Sequence, residues 1–178
     1  MTRWKLLSVL LQYPDEELLG LGDDLPSWLR ETPLPELQAL YVRTFDFDRR
    51  ASLHLTYHTH GDRRQRGLEL VRLKRRYAEA GLPIAPMELP DYLPAMLEFA
   101  SIAPAAGEAL LVEHRVSLEL IRSRLHDTES PYAELLDEIV RALPRPTRAQ
   151  VEAARKLAQE GPPAELVGLE PFAAGVAS

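Results

Sequence analysis

Prolines divide this chain into short segments in which apolar residues recur at intervals of three and four. The chain has 178 residues, of which 15 are proline, and a proline inside a helix removes a backbone hydrogen bond and clashes with the preceding turn. Leu6, Leu7, Leu10 and Leu11 show the spacing before Pro14. Such spacing is typical of amphipathic helices. The sequence therefore predicts short helices that end at or near prolines.

Start and stop signals favour about seven helices joined by short loops. They are predicted over about 2–12, 35–45, 62–80, 91–100, 105–125, 130–143 and 147–160, with one short turn after Asp15 and an irregular connection over 23–35 around Trp28. Residues 53–57 alternate as a strand would, but a lone short strand has nothing to pair with. We predict a helix or the approach to one there. The expected fold is all-α, a single-domain helical bundle over 1–163 with a loose tail over 164–178.

Capping residues place several of these helix starts. Asp62 and Asp91 are expected to be N-caps, and Thr147 with Gln150 has the spacing of a capping box. Pro94 is tolerated in the first turn after Asp91. Asp91 and Glu98 are seven residues apart, so a helix would place both carboxylates on one face.

Composition is that of a globular protein, with 46% hydrophobic and 27% charged residues. The absence of cysteine excludes disulfides, thiolate metal ligands and a thiol nucleophile. No apolar run is long enough to span a membrane, and the short run Leu6–Leu11 lacks a cleavage site after it. We therefore expect a cytoplasmic protein.

No set of residues predicts a catalytic centre. His54 and His58 would share a helix face at the spacing of two zinc ligands, with His60 nearby, but a polar surface near a helix start is the favoured explanation. His114 falls on an apolar stripe, where a hydrogen-bonded core histidine is expected. Asp91 and Glu98 would suit an acid–base pair, although capping and solvation explain them more simply. We predict no enzyme and no metal site.

Positive charge is concentrated in the middle of the chain. The net charge of the whole chain is −6, yet residues 43–76 carry ten basic and four acidic side chains. The run Arg63–Arg76 would contact phosphates or an acidic partner, but its arginines fall on several helix faces. Solvated charge is the simplest interpretation, so a nucleic-acid-binding helical module stays an alternative only.

Several blocks of residues stand in an order and at spacings that one known family shares. The blocks are Leu40-Tyr-Val-Arg-Thr-Phe-Asp46, Leu55-Thr-Tyr57, His60-Gly-Asp62 with Arg66-Gly67, Tyr77 with Gly81, Glu88-Leu-Pro-Asp-Tyr-Leu-Pro94, Leu97-Glu-Phe99 and Ser130-Pro-Tyr-Ala133. Over residues 4–143 the chain resembles the NarJ-type nitrate reductase assembly chaperones, which belong to a wider TorD/DmsD-like group of redox-enzyme maturation proteins. The block from Glu88 to Phe99 is the most diagnostic part of this resemblance. The chain departs from the family in its tail and in the arginines at 63–66.

This resemblance implies a system-specific cytoplasmic chaperone. Its partner would be the catalytic (alpha) subunit of a respiratory nitrate reductase, bound in the apo form through its N-terminal segment. The chaperone would support insertion of the molybdenum cofactor and assembly of the membrane complex, without binding the cofactor stably itself. Another molybdoenzyme as client is the alternative, and the sequence does not distinguish a monomer from a homodimer.

A chaperone of this kind needs an apolar groove with polar residues at its rim. From their places in the blocks that resemble the family, the expected wall residues are Tyr57, Leu93, Leu97 and Phe99. The expected polar contacts with the client peptide are His60, Asp62, Arg66, Asp91 and Glu98.

Overall fold

The computed structural model describes residues 1–61, 64–85, 87–161 and 163, and within them the regular structure is helical. The α-helices are α1 Arg3–Leu10, α2 Glu16–Leu19, α3 Ser27–Glu31, α4 Leu34–Tyr41, α5 Leu55–His60, α6 Arg64–Glu79, α7 Leu93–Ile102, α8 Pro104–Glu113, α9 Arg115–Asp127, α10 Ala133–Ala142 and α11 Arg148–Glu160. The all-α prediction is confirmed. The prediction of about seven helices is wrong, since the described residues form eleven.

The number rises to eleven through α2, α3 and α5, which the seven predicted ranges leave out, and through the division of the 105–125 helix into α8 and α9. Residues 23–35 are not irregular, because α3 lies there and buries Leu29 while the Trp28 ring packs edge-on against Tyr132, with centroids 4.9 Å apart. The helix expected to run to residue 45 passes into a π-helical turn at Val42–Asp46. The helix expected over 105–125 is broken at His114, where ψ is 18°.

The break at His114 lets the two halves of that segment pack against different neighbours. α8 packs on α7, whereas α9 packs on α5, α10 and α11. Gly107 of α8 makes the first contact possible, because a Cβ there would lie 2.3 Å from the Cα of Ala100. Beside the break, the buried Arg115 guanidinium donates to the Pro144 carbonyl (2.9 Å) and to Glu119 (2.9 Å). Helical periodicity continues through the break, so sequence alone does not show it.

Other local predictions fare better. Thr147 and Gln150 form both hydrogen bonds of the capping box at the start of α11. Pro94 lies in the first turn of α7. Gly81 follows α6 with φ of 77°, as expected for a helix end. Among the described helices, none combines the length and apolar character needed to cross a bilayer. The predicted tail over 164–178 and Asp62 lie outside the described residues.

Candidate functional site

The segment from Glu88 to Phe99, the most diagnostic of the blocks, begins with an extended stretch that crosses the start of α5. The backbone N–H of Leu55 donates to the Asp91 carbonyl (2.9 Å), and the N–H of Leu93 donates to the Leu53 carbonyl (2.9 Å). An isolated antiparallel bridge pairs His54 with Tyr92. We call this pairing of residues 53–55 with 91–93 the crossing. It accounts for the alternation at residues 53–55, where Leu53 and Leu55 are buried and His54 is partly exposed, and the chain turns helical from Leu55 onward.

Asp91 lies fully buried beneath the crossing. Its carboxylate accepts hydrogen bonds from the Thr56 hydroxyl (2.5 Å), from His54 Nδ1 (3.3 Å) and from Arg66 Nη2 (3.3 Å). Arg66 Nε also donates to the Thr56 hydroxyl (3.2 Å). These contacts join the start of α5, the first turn of α6 and the entry to α7 around one negative charge.

The prediction of Asp91 as an N-cap is wrong. α7 begins at Leu93, its N-cap residue is Tyr92, and that residue makes no side-chain cap hydrogen bond. The Asp91 carboxylate instead serves Thr56, His54 and Arg66. Because Asp91 precedes the helix and is buried, it does not share a helix face with the half-exposed Glu98, which pairs with Lys5.

Two opposing effects set the pKa of Asp91. Burial alone would raise it, because the charged form loses its hydration. The hydrogen bonds from His54 and Thr56 and the electrostatic interactions with His54 and Arg66 outweigh burial, and they lower the pKa to about 2 from an ordinary 3.8. Asp91 is therefore ionised at neutral pH, and it is an internal anchor of the crossing.

His60, Tyr57 and Arg66, three further residues predicted for the site, lie on α5 or in the first turn of α6. The His60 ring lies with Nδ1 at 3.3 Å from the Thr56 carbonyl oxygen. Tyr57 is half-buried under Arg49, whose guanidinium lies 5.8 Å from the ring centroid. Tyr57 and Arg66 line an open cleft with His54. Among the described residues no cluster of three or more metal-ligating side chains is present.

A second depression, separate from the cleft at Tyr57 and Arg66, lies beside α7. It is lined by Tyr77, Leu82, Ile84, Glu88, Ala95, Glu98, Phe99 and Ile102, and we call it the α7 groove. The Tyr77 and Phe99 rings lie 4.3 Å apart between centroids, and the Tyr77 hydroxyl donates to the Pro90 carbonyl (3.2 Å). Glu88 and Glu98 also line an adjoining depression beside Tyr13 and Asp15. The result is an apolar groove with carboxylates along one side.

The structure therefore separates the predicted site residues into three groups. Glu98 and Phe99 line the α7 groove. Tyr57, His60 and Arg66 lie near Asp91 at the crossing. Leu93 and Leu97 are fully buried core residues, so the closed bundle offers a peptide no surface from them. Contact of any of these residues with a client stays a prediction.

Sequence reasoning missed Ile84, Glu88 and Ile102 as groove residues. Ile102 was detectable, because it lies one helical turn after Phe99 at the end of the predicted apolar face, and it is 60% exposed. Glu88 belongs to the diagnostic block but has no helical neighbour to place it. Ile84 lies in a connection between helices, where helical periodicity does not predict which way a side chain points.

His114 is buried as predicted, but it is not a hydrogen-bonded core residue. Its Nε2 has no hydrogen-bond partner among the described residues. Burial lowers the pKa of His114, although the carboxylates of Glu69 and Glu113 oppose that effect. The neutral ring is therefore the form that the core favours.

Comparisons with known proteins show which family the chain belongs to. Residues 12–138 match the family model described as nitrate reductase delta subunit. The probable nitrate reductase molybdenum cofactor assembly chaperone NarJ of Bacillus subtilis (strain 168) is 38% identical over 160 residues, which cover 77% of this chain and 85% of that protein. NarJ of Escherichia coli (strain K12), named as a chaperone of the same kind, is 38% identical over 130 residues, 72% of this chain and 54% of that protein.

A third relative is a longer protein. The nitrate reductase-like protein NarX of Mycobacterium tuberculosis (strain ATCC 25618 / H37Rv) is 34% identical over 154 residues, which cover 78% of this chain but 24% of NarX. The two NarJ relatives are named as assembly chaperones and not as enzymes, which confirms both the predicted resemblance and the prediction of a non-enzyme. The chain belongs to the nitrate reductase delta subunit family and, within it, to the NarJ-type chaperones.

Proposed function

We propose that this protein is a cytoplasmic chaperone for the apo catalytic subunit of a respiratory nitrate reductase. It binds the N-terminal segment of that subunit, supports insertion of the molybdenum cofactor, and assists assembly of the membrane complex. The names of the NarJ relatives support the cofactor-insertion role. The cofactor is cargo delivered to the client, and the chaperone does not retain it.

The α7 groove is the observation that carries the proposal. Its walls are the side chains of Tyr77, Ile84, Phe99 and Ile102, and its carboxylates are Glu88 and Glu98. An amphipathic peptide helix places apolar residues into such a groove at three- and four-residue spacing. Basic residues beside that apolar stripe would meet the two glutamates. The groove thus fits a client segment that is both apolar and basic.

The residues of the α7 groove and those of the crossing then have different roles. Glu98, Glu88 and Ile102 contact the peptide directly, and the largely buried Phe99 forms the floor beneath them. Asp91 and Arg66 position the segment that carries these residues, because they fix its start at the crossing. Peptide affinity is therefore sensitive to both sets, whereas protein stability depends chiefly on the buried one.

Calorimetric titration with a synthetic peptide copying the N-terminus of the catalytic subunit tests the proposal. We expect an affinity in the micromolar range, which corresponds to about −8 kcal/mol, and no binding of a scrambled peptide. Ile102→Gln is expected to weaken binding about ten-fold through loss of an apolar contact. Val151→Gln is the matched control, because Val151 is also an exposed aliphatic residue but lies on α11.

Double replacement Glu88→Gln/Glu98→Gln separates charge from shape. It keeps the size of both side chains, so we expect weaker binding together with loss of the salt dependence expected for the wild type. Equal titration of the native and scrambled peptides would contradict sequence-specific recognition. Capture of a different molybdoenzyme from nitrate-respiring cells would leave the chaperone role and change the client.

Cells that lack the chaperone provide a second measurement. We expect the catalytic subunit to be present as polypeptide but deficient in molybdenum cofactor. A catalytic subunit with a full complement of cofactor in such cells would show that insertion does not need this protein.

A further inference from the structure

Helix α6 carries apolar side chains on two opposite faces. Its inner face buries Leu73 and Tyr77 in the core. On its outer face Leu68 and Val71 are 66% and 68% exposed. Residues three apart on a helix are neighbours, so the two form one apolar patch. A helix on a protein surface ordinarily presents polar residues outward, and core packing does not account for this patch.

Basic residues border the patch along the helix. Arg64 lies one turn before Leu68, and Arg75 lies one turn after Val71. α6 carries six basic and two acidic side chains, although the chain as a whole has a net charge of −6. A Cβ at Gly67 would meet nothing within 4 Å, so the surface beside Leu68 is open. The outer face therefore has an apolar centre and an arginine at each end.

Ion pairs distinguish this face from the flank of the same helix. Arg72 and Arg76 both bind Glu113 at the end of α8, at 2.8 and 3.2 Å, and they hold α6 against the bundle. On the outer side Arg75 pairs with Glu79 at 3.1 Å, with both side chains largely exposed. An exposed pair of this kind contributes little to stability. Its arginine can therefore exchange Glu79 for a carboxylate of another molecule.

We propose that the outer face of α6, formed by Arg64, Leu68, Val71 and Arg75, docks an acidic amphipathic helix of a protein partner. An apolar centre with a charged rim is the arrangement of protein interfaces, in which arginine is enriched and lysine is depleted. Five of the six basic residues of α6 are arginines, and arginine binds carboxylates in a bidentate manner. Two apolar side chains are too few for a helix that lies in a lipid bilayer, which needs a broad apolar face.

Fluorescence anisotropy with a synthetic peptide tests this proposal on the whole protein. The probe is a labelled helical peptide with leucines on one face and glutamates on both sides of them. We expect it to bind the wild type, with an affinity that falls as salt is added. Leu68→Gln/Val71→Gln should weaken binding about ten-fold or more. Met87→Gln is the control, because Met87 is 95% exposed but lies outside α6, and we expect no change.

Other outcomes overturn the proposal. Unchanged binding in Leu68→Gln/Val71→Gln would do so, as would equal binding of a peptide with lysines in place of the glutamates. Binding of phosphatidylserine vesicles, but not of the peptide, would assign the face to a membrane surface. Self-association of the wild type that Leu68→Gln/Val71→Gln abolishes would assign it to a second copy of the chain.

The same assay separates this face from the α7 groove. The peptide copying the N-terminus of the nitrate reductase catalytic subunit is expected to leave the acidic probe bound, since the two sites are different. Displacement of the acidic probe would place both peptides in one site and overturn the proposal. Failure of the catalytic-subunit peptide to bind at all would count against the proposed function without affecting the α6 face.

Discussion

Replacement of Asp91 by asparagine is expected to destabilise the protein well beyond the loss of a helix cap. The pKa of Asp91 is about 2 in the folded protein against an ordinary 3.8, and a tenfold change in an ionisation constant is worth about 1.4 kcal/mol. Loss of the charge therefore removes about 2 kcal/mol. Asparagine also leaves Arg66 without its carboxylate, although that guanidinium reaches solvent. We expect the free energy of unfolding to fall by about 2–3 kcal/mol.

Urea unfolding at neutral pH, followed by circular dichroism, measures this difference. Glu98→Gln is the control, because Glu98 is half-exposed and its pair with Lys5 should contribute less than about 1 kcal/mol. An asparagine that restored nearly full stability would be the behaviour of an N-cap, since asparagine caps as well as aspartate. A loss below about 1 kcal/mol for Asp91→Asn would refute the anchoring role derived from Thr56, His54 and Arg66.

The same variant tests the acid dependence of stability. The pKa of Asp91 is lower in the folded state than in the unfolded state, so the unfolded state binds the proton more readily as pH falls. The stabilisation by the Asp91 charge is complete when the pH is above the ordinary pKa of 3.8, and it is lost as the pH falls towards the folded-state pKa of about 2. We expect Asp91→Asn to lack this part of the acid sensitivity. Parallel stability curves for wild type and variant between neutral pH and pH ~2 would contradict the assignment.

Other replacements test packing and capping. Gly107→Ala should lower protein stability by about 1–3 kcal/mol, because its Cβ would meet the backbone of Ala100. Gly67→Ala should raise stability by about 0.5–1 kcal/mol, because the position is helical and open. Equal thermal melts of the two variants would refute the close approach of α8 to α7. Thr147→Ala should raise local opening of α11 by about 1 kcal/mol through loss of its hydrogen bond with Gln150, seen as faster amide exchange there. Because α11 has no buried residue, we expect the melting midpoint of the whole protein to hardly change in Thr147→Ala. A large shift of that midpoint would contradict the peripheral role of α11.

Local signals in the sequence predicted the helices well, but not their breaks. Thr147 and Gln150 define a start that needs only neighbouring residues, and they form the predicted capping box. At His114 the apolar spacing continues, and the bend arises because α8 and α9 pack against different helices. Trp28 lies between prolines that suggest a loop, but burial of Leu29 stabilises a short helix there. Packing between distant segments decided both cases.

The candidate site shows the same division. The sequence singled out the block from Glu88 to Phe99, and that block carries both the crossing and one wall of the α7 groove. It could not show that Asp91 faces inward, because the donors Thr56 and Arg66 come from other parts of the chain. Local reasoning sees a carboxylate before a helix and predicts a cap. Only the fold brings three donors to that carboxylate.

The crossing also has a consequence for the order in which the protein folds and opens. His54 and Asp91 are 37 residues apart, so their contact closes a loop that contains all of α5 and α6. The entropy of closing a loop is lost once, when its ends meet, and that contact fixes the start of α5 through Thr56 and the start of α6 through Arg66. Proteins open locally in roughly contiguous cooperative units, and we expect this loop to be one of them. Amides in α5 and α6 should therefore exchange with solvent together, at a rate set by the breaking of the 53–55 and 91–93 contacts.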